Sequence, residues 1–306
     1  VNPKPTEERN NILIITSEAA PGTTSGSDQT TYQTKKLYEN TIKELHPNAN
    51  VQFIYRSAWV NAISNLTNSM KKFNNNPFAP SFLQNYKYVV YYVDYKPGSF
   101  DVDSDADSYR IFMNLNGSMI ISGGENVAFT HKKMLSVEEY LFSTHFGVPS
   151  NAELAKTINA TSNYQNNPFI KGVSAAMAPY ANVKVDTTST AFVRFVNVRN
   201  GLSTISYFEN ANPNYVMYKT ICKTVGEDQI SHILPSATNP NPAYNPDRPS
   251  SPKTNADYNE YNSKAIGFVK ENGTLSGAKG KSYLCAFPLS MMDKNEVKTL
   301  MQQMMP

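Results

Sequence analysis

Strand-like and helix-like segments alternate in a regular order over the first half of the chain. The strand-like runs are largely apolar without a polar alternation, which is typical of strands buried on both faces. In the helix-like segments, apolar residues recur every three or four positions. The strand-like runs are 12–16, 51–55, 88–93 and 118–122, and the helix-like segments are 28–45, 59–70 and 108–114. This alternation predicts a parallel sheet covered by helices.

The second half of the chain is mostly strand-like and ends in one helix. The strand-like runs are 190–198, 204–208, 215–222, 265–270 and 282–287. In the final helix, 293–304, the predicted buried stripe is Val297, Leu300, Met301 and Met304. A Pro- and Asn-rich insert at 235–261 predicts a long loop or a functional flap. We predict an N-terminal linker over residues 1–11 and a single domain over 12–306 that contains this insert.

Capping signals mark two helix ends in the sequence. Gly117 follows the helix at 108–114, and a glycine just past a helix end favours a left-handed cap. For this helix we expect Ile111, Phe112 and Leu115 to face inward. Ser136 precedes two glutamates, a pattern that predicts a helix from Ser136 to Phe146.

The composition excludes some classes of function. The chain carries 28 Lys and Arg against 25 Asp and Glu, a net charge of +3, so binding nucleic acid by bulk electrostatics is not expected. No apolar run approaches the length that a membrane span needs, since the longest extends only from Tyr88 to Val93. Charged residues make up only 17% of the chain, and Asn, Ser, Thr and Tyr supply polarity instead. This balance favours an extracellular, cell-surface or periplasmic location.

Two cysteines, Cys222 and Cys285, lack the paired spacing that would indicate zinc. They predict either one disulfide or two buried thiols on neighbouring strands.

The segment 115–123, Leu-Asn-Gly-Ser-Met-Ile-Ile-Ser-Gly, resembles the helix, glycine, short strand and Ser-Gly signature of class I glutamine amidotransferase-like domains. It is most similar to the divergent versions found in secreted bacterial proteins and beside immune-inhibitor-A-type peptidases. Further segments that resemble the family are 12–16, 88–93, 167–173 and 281–289. Together with the strand and helix pattern, the resemblance predicts an α/β fold, a flavodoxin-like three-layer sandwich with a mostly parallel central sheet and a strand-rich C-terminal half.

The resemblance also implies a position for a nucleophile. Amidotransferases of this family use a Cys at the turn after a sheet strand and a His-x-Glu pair. This chain has Gly123, Gly124 and Glu125 at that turn, and none of its four histidines is followed two positions later by an acid. Ser122 does not fit a nucleophile elbow, because Ile120 occupies a position that needs a small residue. We therefore assign no catalytic residue.

An acidic run is the strongest candidate metal site. Asp101, Asp103, Asp105 and Asp107 stand at alternate positions, as at the start of an EF-hand calcium loop. Ala106 replaces the glycine of that loop and Phe112 replaces its last carboxylate, so the loop is incomplete. Calcium is the candidate cofactor, and no other is expected. The alternative is an acidic helix start that interacts with free backbone N–H groups.

The turn after the strand at 118–122 is the candidate ligand site. In open α/β sheets, ligands bind at the carboxyl ends of strands. The residues that we assign there are Ser122, Gly123, Gly124, Glu125 and Asn126. The alternative is a tight strand-to-helix turn that needs glycine. Glycosylation sequons at Asn65, Asn116, Asn159 and Asn272 are the remaining motifs, and some arise by chance in an Asn-rich chain.

These observations favour a non-catalytic, secreted or cell-surface binding and assembly module, with a protein or glycan partner at the cell surface. Two alternatives stay open. One is a hydrolase that acts on peptide or glycan through an unrecognised site. The other is a structural subunit of a surface layer or filament, which the charge-poor, Asn- and Tyr-rich composition suits.

Overall fold

The structure, a computed structural model, describes residues 9–18, 28–64, 78–94, 101–124, 126–157, 170–186, 188–189, 205–222, 224 and 255–306. Several predicted features lie outside these residues. They are the strand at 190–198, residues 235–254 of the insert, the second half of the helix at 59–70, residues 167–169 and residues 1–8 of the linker. Arg9, within the predicted linker, is buried and donates a hydrogen bond to the Leu115 carbonyl at 3.0 Å. The chain therefore packs on the domain from residue 9 onward.

The described secondary structure comprises eleven strands and eight α-helices. The strands are β1 (Asn11–Thr16), β2 (Val51–Tyr55), β3 (Tyr86–Val93), β4 (Ser118–Gly123), β5 (Ala155–Thr157), β6 (Ile170–Ala175), β7 (Val183–Lys184), β8 (Ser206–Phe208), β9 (Val216–Cys222), β10 (Ala265–Asn272) and β11 (Gly280–Cys285). The helices are α1 (Asp28–Leu45), α2 (Arg56–Ser64), α3 (Pro80–Leu83), α4 (Ala106–Asn114), α5 (Asn126–Ser136), α6 (Leu141–Phe146), α7 (Asn255–Tyr261) and α8 (Lys294–Met304).

All eleven strands belong to one mixed sheet with the order β2-β1-β3-β4-β11-β10-β9-β6-β7, while β8 pairs with β10 and β5. The pairs from β2 to β11 are parallel, and the remaining pairs are antiparallel. The prediction of an α/β protein with a parallel first half is therefore confirmed. The last parallel strand, β11, comes from the C-terminal end of the chain and joins the two parts of the sheet.

The parallel strands are buried on both faces, as their apolar runs predict. In β1, Leu13 and Ile15 pack in a core with α4, α5 and α6, whereas Ile12 and Ile14 pack in a second core with α1 and α8. This alternation follows the two-residue period of a strand. The stripe of α8 is buried as predicted, and the Asp293 carboxylate accepts hydrogen bonds from the backbone N–H groups of Asn295 and Glu296.

Three predictions about helices are wrong. Ser136 ends helix α5 instead of starting a helix, because Val127, Ala128 and Met134 face the core and place the helix earlier. Glu138 adopts a left-handed conformation, with φ 58°, between α5 and α6.

The other two corrections concern α4. Ile111 is 43% exposed rather than inward-facing, because Tyr109, Phe112 and Met113 form the buried stripe. The left-handed residue after α4 is Asn116, with φ 62°, rather than Gly117. A Cβ on Gly117 would lie 2.4 Å from the Phe112 ring, so close packing explains this glycine.

The cysteines are two free, buried thiols, Cys222 in β9 and Cys285 in β11. Strand β10 lies between them, so they are not on adjacent strands as expected. Burial raises the pKa of Cys222 to about 12, which keeps this thiol protonated and unreactive at neutral pH.

Candidate functional site

The carboxyl ends of β1 and β3 form the point at which the strand order reverses. From β1 the chain crosses to β2 on one side, whereas from β3 it crosses to β4 on the other. Glu18 follows β1 and Asp94 follows β3, and both carboxylates are buried. The Asp94 N–H donates to Glu18 Oε1 at 2.9 Å, which joins the two strand ends. Open α/β sheets bind ligands in the crevice at such a point.

Asp94 is the centre of a buried hydrogen-bond network. Its Oδ1 accepts from Ser122 Oγ at 2.9 Å, and its Oδ2 accepts from the Ser290 N–H at 2.9 Å. The Tyr38 hydroxyl lies 3.2 and 3.1 Å from the two oxygens and donates to this carboxylate. Burial raises the pKa of Asp94 above its ordinary value, although the hydrogen bonds from Ser290, Ser122 and Tyr38 partly oppose the shift. The carboxylate therefore ties α1, β4 and the segment after β11 to the end of β3.

Of the predicted ligand-site residues, the structure describes Ser122, Gly123, Gly124 and Asn126, which lie together at the carboxyl end of β4 and are buried. Ser122 donates to Asp94, and the Asn126 side-chain amide donates to the Val93 carbonyl at 2.7 Å. Glu125 lies outside the described residues.

The two glycines of the same turn have internal contacts as well. Ser206 Oγ donates to the Gly124 carbonyl at 2.8 Å and accepts from the Ala128 N–H at 2.9 Å. A Cβ on Gly123 would lie 2.6 Å from Asn126 Oδ1, so this turn needs glycine for packing. The described groups of this turn make hydrogen bonds within the protein, and the ligand site stays a prediction.

Ser122 is not arranged as a nucleophile. Its hydroxyl is wholly buried, and its other contacts, at 3.4 Å, are the Phe287 carbonyl and the Leu289 N–H. The three described histidines contact residues other than Ser122. His46 packs on Tyr88, His131 contacts the Pro149 carbonyl and His145 contacts Asn114.

The four aspartates of the acidic run pair with three different basic side chains instead of converging on a common centre. Asp105 is buried and makes a two-pronged pair with Arg56, at 2.7 and 3.1 Å, and Asp101 lies 3.6 Å from the same guanidinium. Asp103 pairs with Lys133 at 2.6 Å, and Asp107 pairs with Arg110. Among the described residues, no group of three or more His, Cys, Asp or Glu side chains is placed to hold a metal ion. The calcium site stays a prediction that this pairing does not support.

Two sequons lie at structural positions. Asn116 is buried in its left-handed conformation. The Asn272 amide donates to the His145 carbonyl at 2.9 Å and to Ser282 Oγ at 2.6 Å. A glycan on either amide would disrupt the packing around it. In the folded protein these two asparagines are therefore structural residues rather than glycosylation sites. Asn65 and Asn159 lie outside the described residues.

A different part of the molecule presents apolar side chains to solvent. Five large hydrophobic side chains stand out as exposed in the described part of the chain, and four of them lie on the helical layer formed by α4, α5 and α6. These four, which we call the α4–α6 surface, are Ile111 (43%), Phe129 (47%), Val137 (65%) and Tyr140 (42%). The fifth is Tyr32 of α1 on the opposite layer, where Lys36 lies 4.4 Å above its ring. Apolar residues grouped in this way mark interaction sites more often than scattered ones do.

Ion pairs connect the elements that carry the α4–α6 surface. Arg110, next to Ile111, lies 3.6 Å from Glu139, next to Tyr140. Lys133, one helical turn after Phe129, pairs with Asp103 in the short 3-10 turn just before α4. Sequence periodicity missed this surface because Ile111 was assigned to the core. The signal was available, since a stripe of Tyr109, Phe112 and Met113 leaves Ile111 on the opposite side of the helix.

Comparisons of the chain with protein-family models, with curated proteins and with solved structures find no match. Among the described residues, no helix is both long and apolar enough to cross a membrane.

Proposed function

We propose that this protein is a non-catalytic binding and assembly module, extracellular, at the cell surface or in the periplasm, that contacts a protein partner through the α4–α6 surface. The observation that carries the proposal is that four of the five exposed large apolar side chains of the described residues lie on one helical layer. A protein partner suits this surface better than a glycan, because its exposed groups are aliphatic and aromatic and are bordered by charged pairs.

We also propose that the framework is a flavodoxin-like three-layer sandwich of the amidotransferase-like type. The strand order β2-β1-β3-β4-β11 supports this assignment, because flavodoxin-like sheets have the order 2-1-3-4-5. Helices α1 and α8 on one face and α4 to α6 on the other support it too. The burial of Ser122 against Asp94 supports a role without catalysis, since this hydroxyl is used for packing.

Site-specific photo-crosslinking in the cells that make the protein tests this function. A photoreactive phenylalanine analogue replaces Phe129 in one variant and Tyr32 in a matched control, because the two side chains have similar exposure, 47% and 44%. We expect a defined protein adduct from position 129 and none from position 32. If position 129 gives no adduct, or both positions give the same ones, the proposal is wrong.

A further inference from the structure

We infer that a cleft between helices α1 and α8 binds a small acidic sugar, which is a molecule with an anionic group on a body rich in hydroxyl groups. The cleft lies on the opposite layer from the α4–α6 surface, so this inference does not depend on the proposed function. Its volume is about 340 Å³, within the range of pockets that hold small molecules.

Hydrogen bonds to one buried carboxylate fix both walls of the cleft. On α1, the Tyr38 hydroxyl donates to Asp94, and Thr34, which lines the cleft, lies one helical turn before Tyr38. On the other wall, Ser290 lines the cleft and its N–H donates to Asp94 at 2.9 Å. The walls are therefore held in place by the fold itself, which lowers the entropy cost of binding a ligand between them.

The charged residues that line the cleft favour an anion. Three lysines, Lys36, Lys294 and Lys298, stand against one acid, Glu44. Lys298 pairs with Glu44 at 2.6 Å, whereas Lys36 and Lys294 form no ion pair with any described residue. The lining therefore has an excess of positive charge, and a concave site of one sign attracts small ions of the opposite sign.

The uncharged part of the lining favours a ligand with hydroxyl groups. Among the described residues that line the cleft, only Leu37 is apolar. The others without a charge carry amides or hydroxyls, and they include Gln33, Asn40, Thr41, Ser189 and Asn295. Amides and hydroxyls both donate and accept hydrogen bonds, as the hydroxyl groups of a sugar do. An apolar ligand would leave these groups without partners.

Thr34 adds an independent sign of a ligand. Its side chain is 1% exposed, and its buried Oγ1 has no hydrogen-bond partner among the described residues. A buried hydroxyl without a partner is unfavourable, and most such groups in folded proteins are paired. A ligand hydroxyl at the floor of the cleft would supply the missing hydrogen bond.

Isothermal titration calorimetry of the full chain with four compounds tests the inference. The compounds are glucuronate, glucose 6-phosphate, glucose and inorganic phosphate. We expect at least one of the two acidic sugars to bind about tenfold or more tightly than glucose, which lacks the anion, and than phosphate, which lacks the sugar body. The inference is wrong if neither acidic sugar binds. It is also wrong if glucose or phosphate binds as tightly as they do.

Substitutions in the cleft locate the binding. Lys294→Gln removes an unpaired charge, and we expect it to weaken binding of the acidic sugar by about fivefold or more. Lys43→Gln makes the same change on α1 outside the cleft and should leave the affinity unchanged. Equal weakening in these two variants would overturn the inference.

Thr34→Val separates a ligand contact from a structural one, because it replaces the unpaired hydroxyl by a methyl group of similar size. We expect weaker binding of the acidic sugar without a lower melting temperature, since this hydroxyl has no described partner to lose. Unchanged binding, or a lower melting temperature, would contradict the role of Thr34 in the site.

Discussion

The carboxyl edge of the sheet and the α4–α6 surface differ in how their functional groups are used. At the carboxyl edge, Asp94, Ser122 and Asn126 are polar but buried, and their described contacts lie within the protein. On the α4–α6 surface, Phe129 and Val137 are apolar but exposed to solvent. The difference teaches that polar groups at a strand end can serve the stability of the fold, whereas exposed apolar groups do not. Substitutions at the edge should change stability, whereas substitutions on the surface should change association.

The largest expected effect is at Asp94. Replacing Asp94 by Ala leaves the donors from Tyr38, Ser122 and Ser290 buried without their acceptor. We expect the free energy of unfolding to fall by about 3 to 5 kcal/mol. Urea unfolding followed by circular dichroism measures the change. The matched control is Asp107→Ala, which removes an exposed carboxylate and should cost less than about 1 kcal/mol. Equal losses in the two variants would contradict the role of Asp94.

The second largest expected effect is a pH dependence of the unfolding free energy that arises from His145, a buried residue of α6. Burial lowers the pKa of His145 from 6.5 to about 4, so the folded protein favours the neutral ring. A lowered pKa means that the stabilisation is fully present above pH 6.5 and is lost as the pH falls toward 4. We expect a loss of about 2 kcal/mol over this interval, measured by urea unfolding at each pH. His145→Gln should reduce this slope, and an unchanged slope would show that His145 does not cause it.

Asp94 should show the opposite dependence. Its pKa is raised in the folded protein, so the folded state binds the proton more tightly than the unfolded state. Its contribution is therefore present below the unfolded pKa and is lost as the pH rises through the folded pKa. Comparing Asp94→Asn with the unchanged protein isolates this effect. The difference in unfolding free energy between the two proteins should change with pH across that interval, and a constant difference would contradict the shift.

The smallest expected effect concerns the acidic run. Asp101 and Asp105 contact Arg56, and Asp103 contacts Lys133, so a calcium ion would have to displace these cations. We expect added calcium to leave the melting temperature unchanged. A rise that a chelator reverses would instead support the calcium site that the sequence predicts.

The sequence predicted the parallel part of the fold well because burial on both faces leaves a strong local signal. Runs such as 12–16 and 88–93 are apolar whichever helix covers them. Helix ends were less predictable. Ser136 with Glu138 and Glu139 imitates a helix start, and only the packing of Val127 and Met134 against the sheet shows that a helix ends there.

The sequence was sufficient to place the candidate-site residues at the end of a strand, but not to predict which groups their side chains contact. Ser122 and Asn126 were correctly placed at the end of a strand, yet their roles depend on distant partners. Ser122 contacts the Phe287 carbonyl from the far end of the chain, and Ser206 closes the turn at Gly124. No local pattern contains such contacts. For Asp94 the sequence did contain one signal of a role at the strand end, because this acid directly follows the apolar run of β3.

Hydrogen–deuterium exchange with and without the protein that crosslinks to position 129 tests the central claim most directly, because one experiment reports on both regions. The claim is that the α4–α6 surface, and not the carboxyl edge, meets a partner. We expect association to slow exchange in the backbone amides of 106–114 and 126–141 while leaving that of 16–18 and 286–290 unchanged. Slower exchange confined to 16–18 and 286–290 would contradict the account, and so would exchange that does not change anywhere when the partner is added.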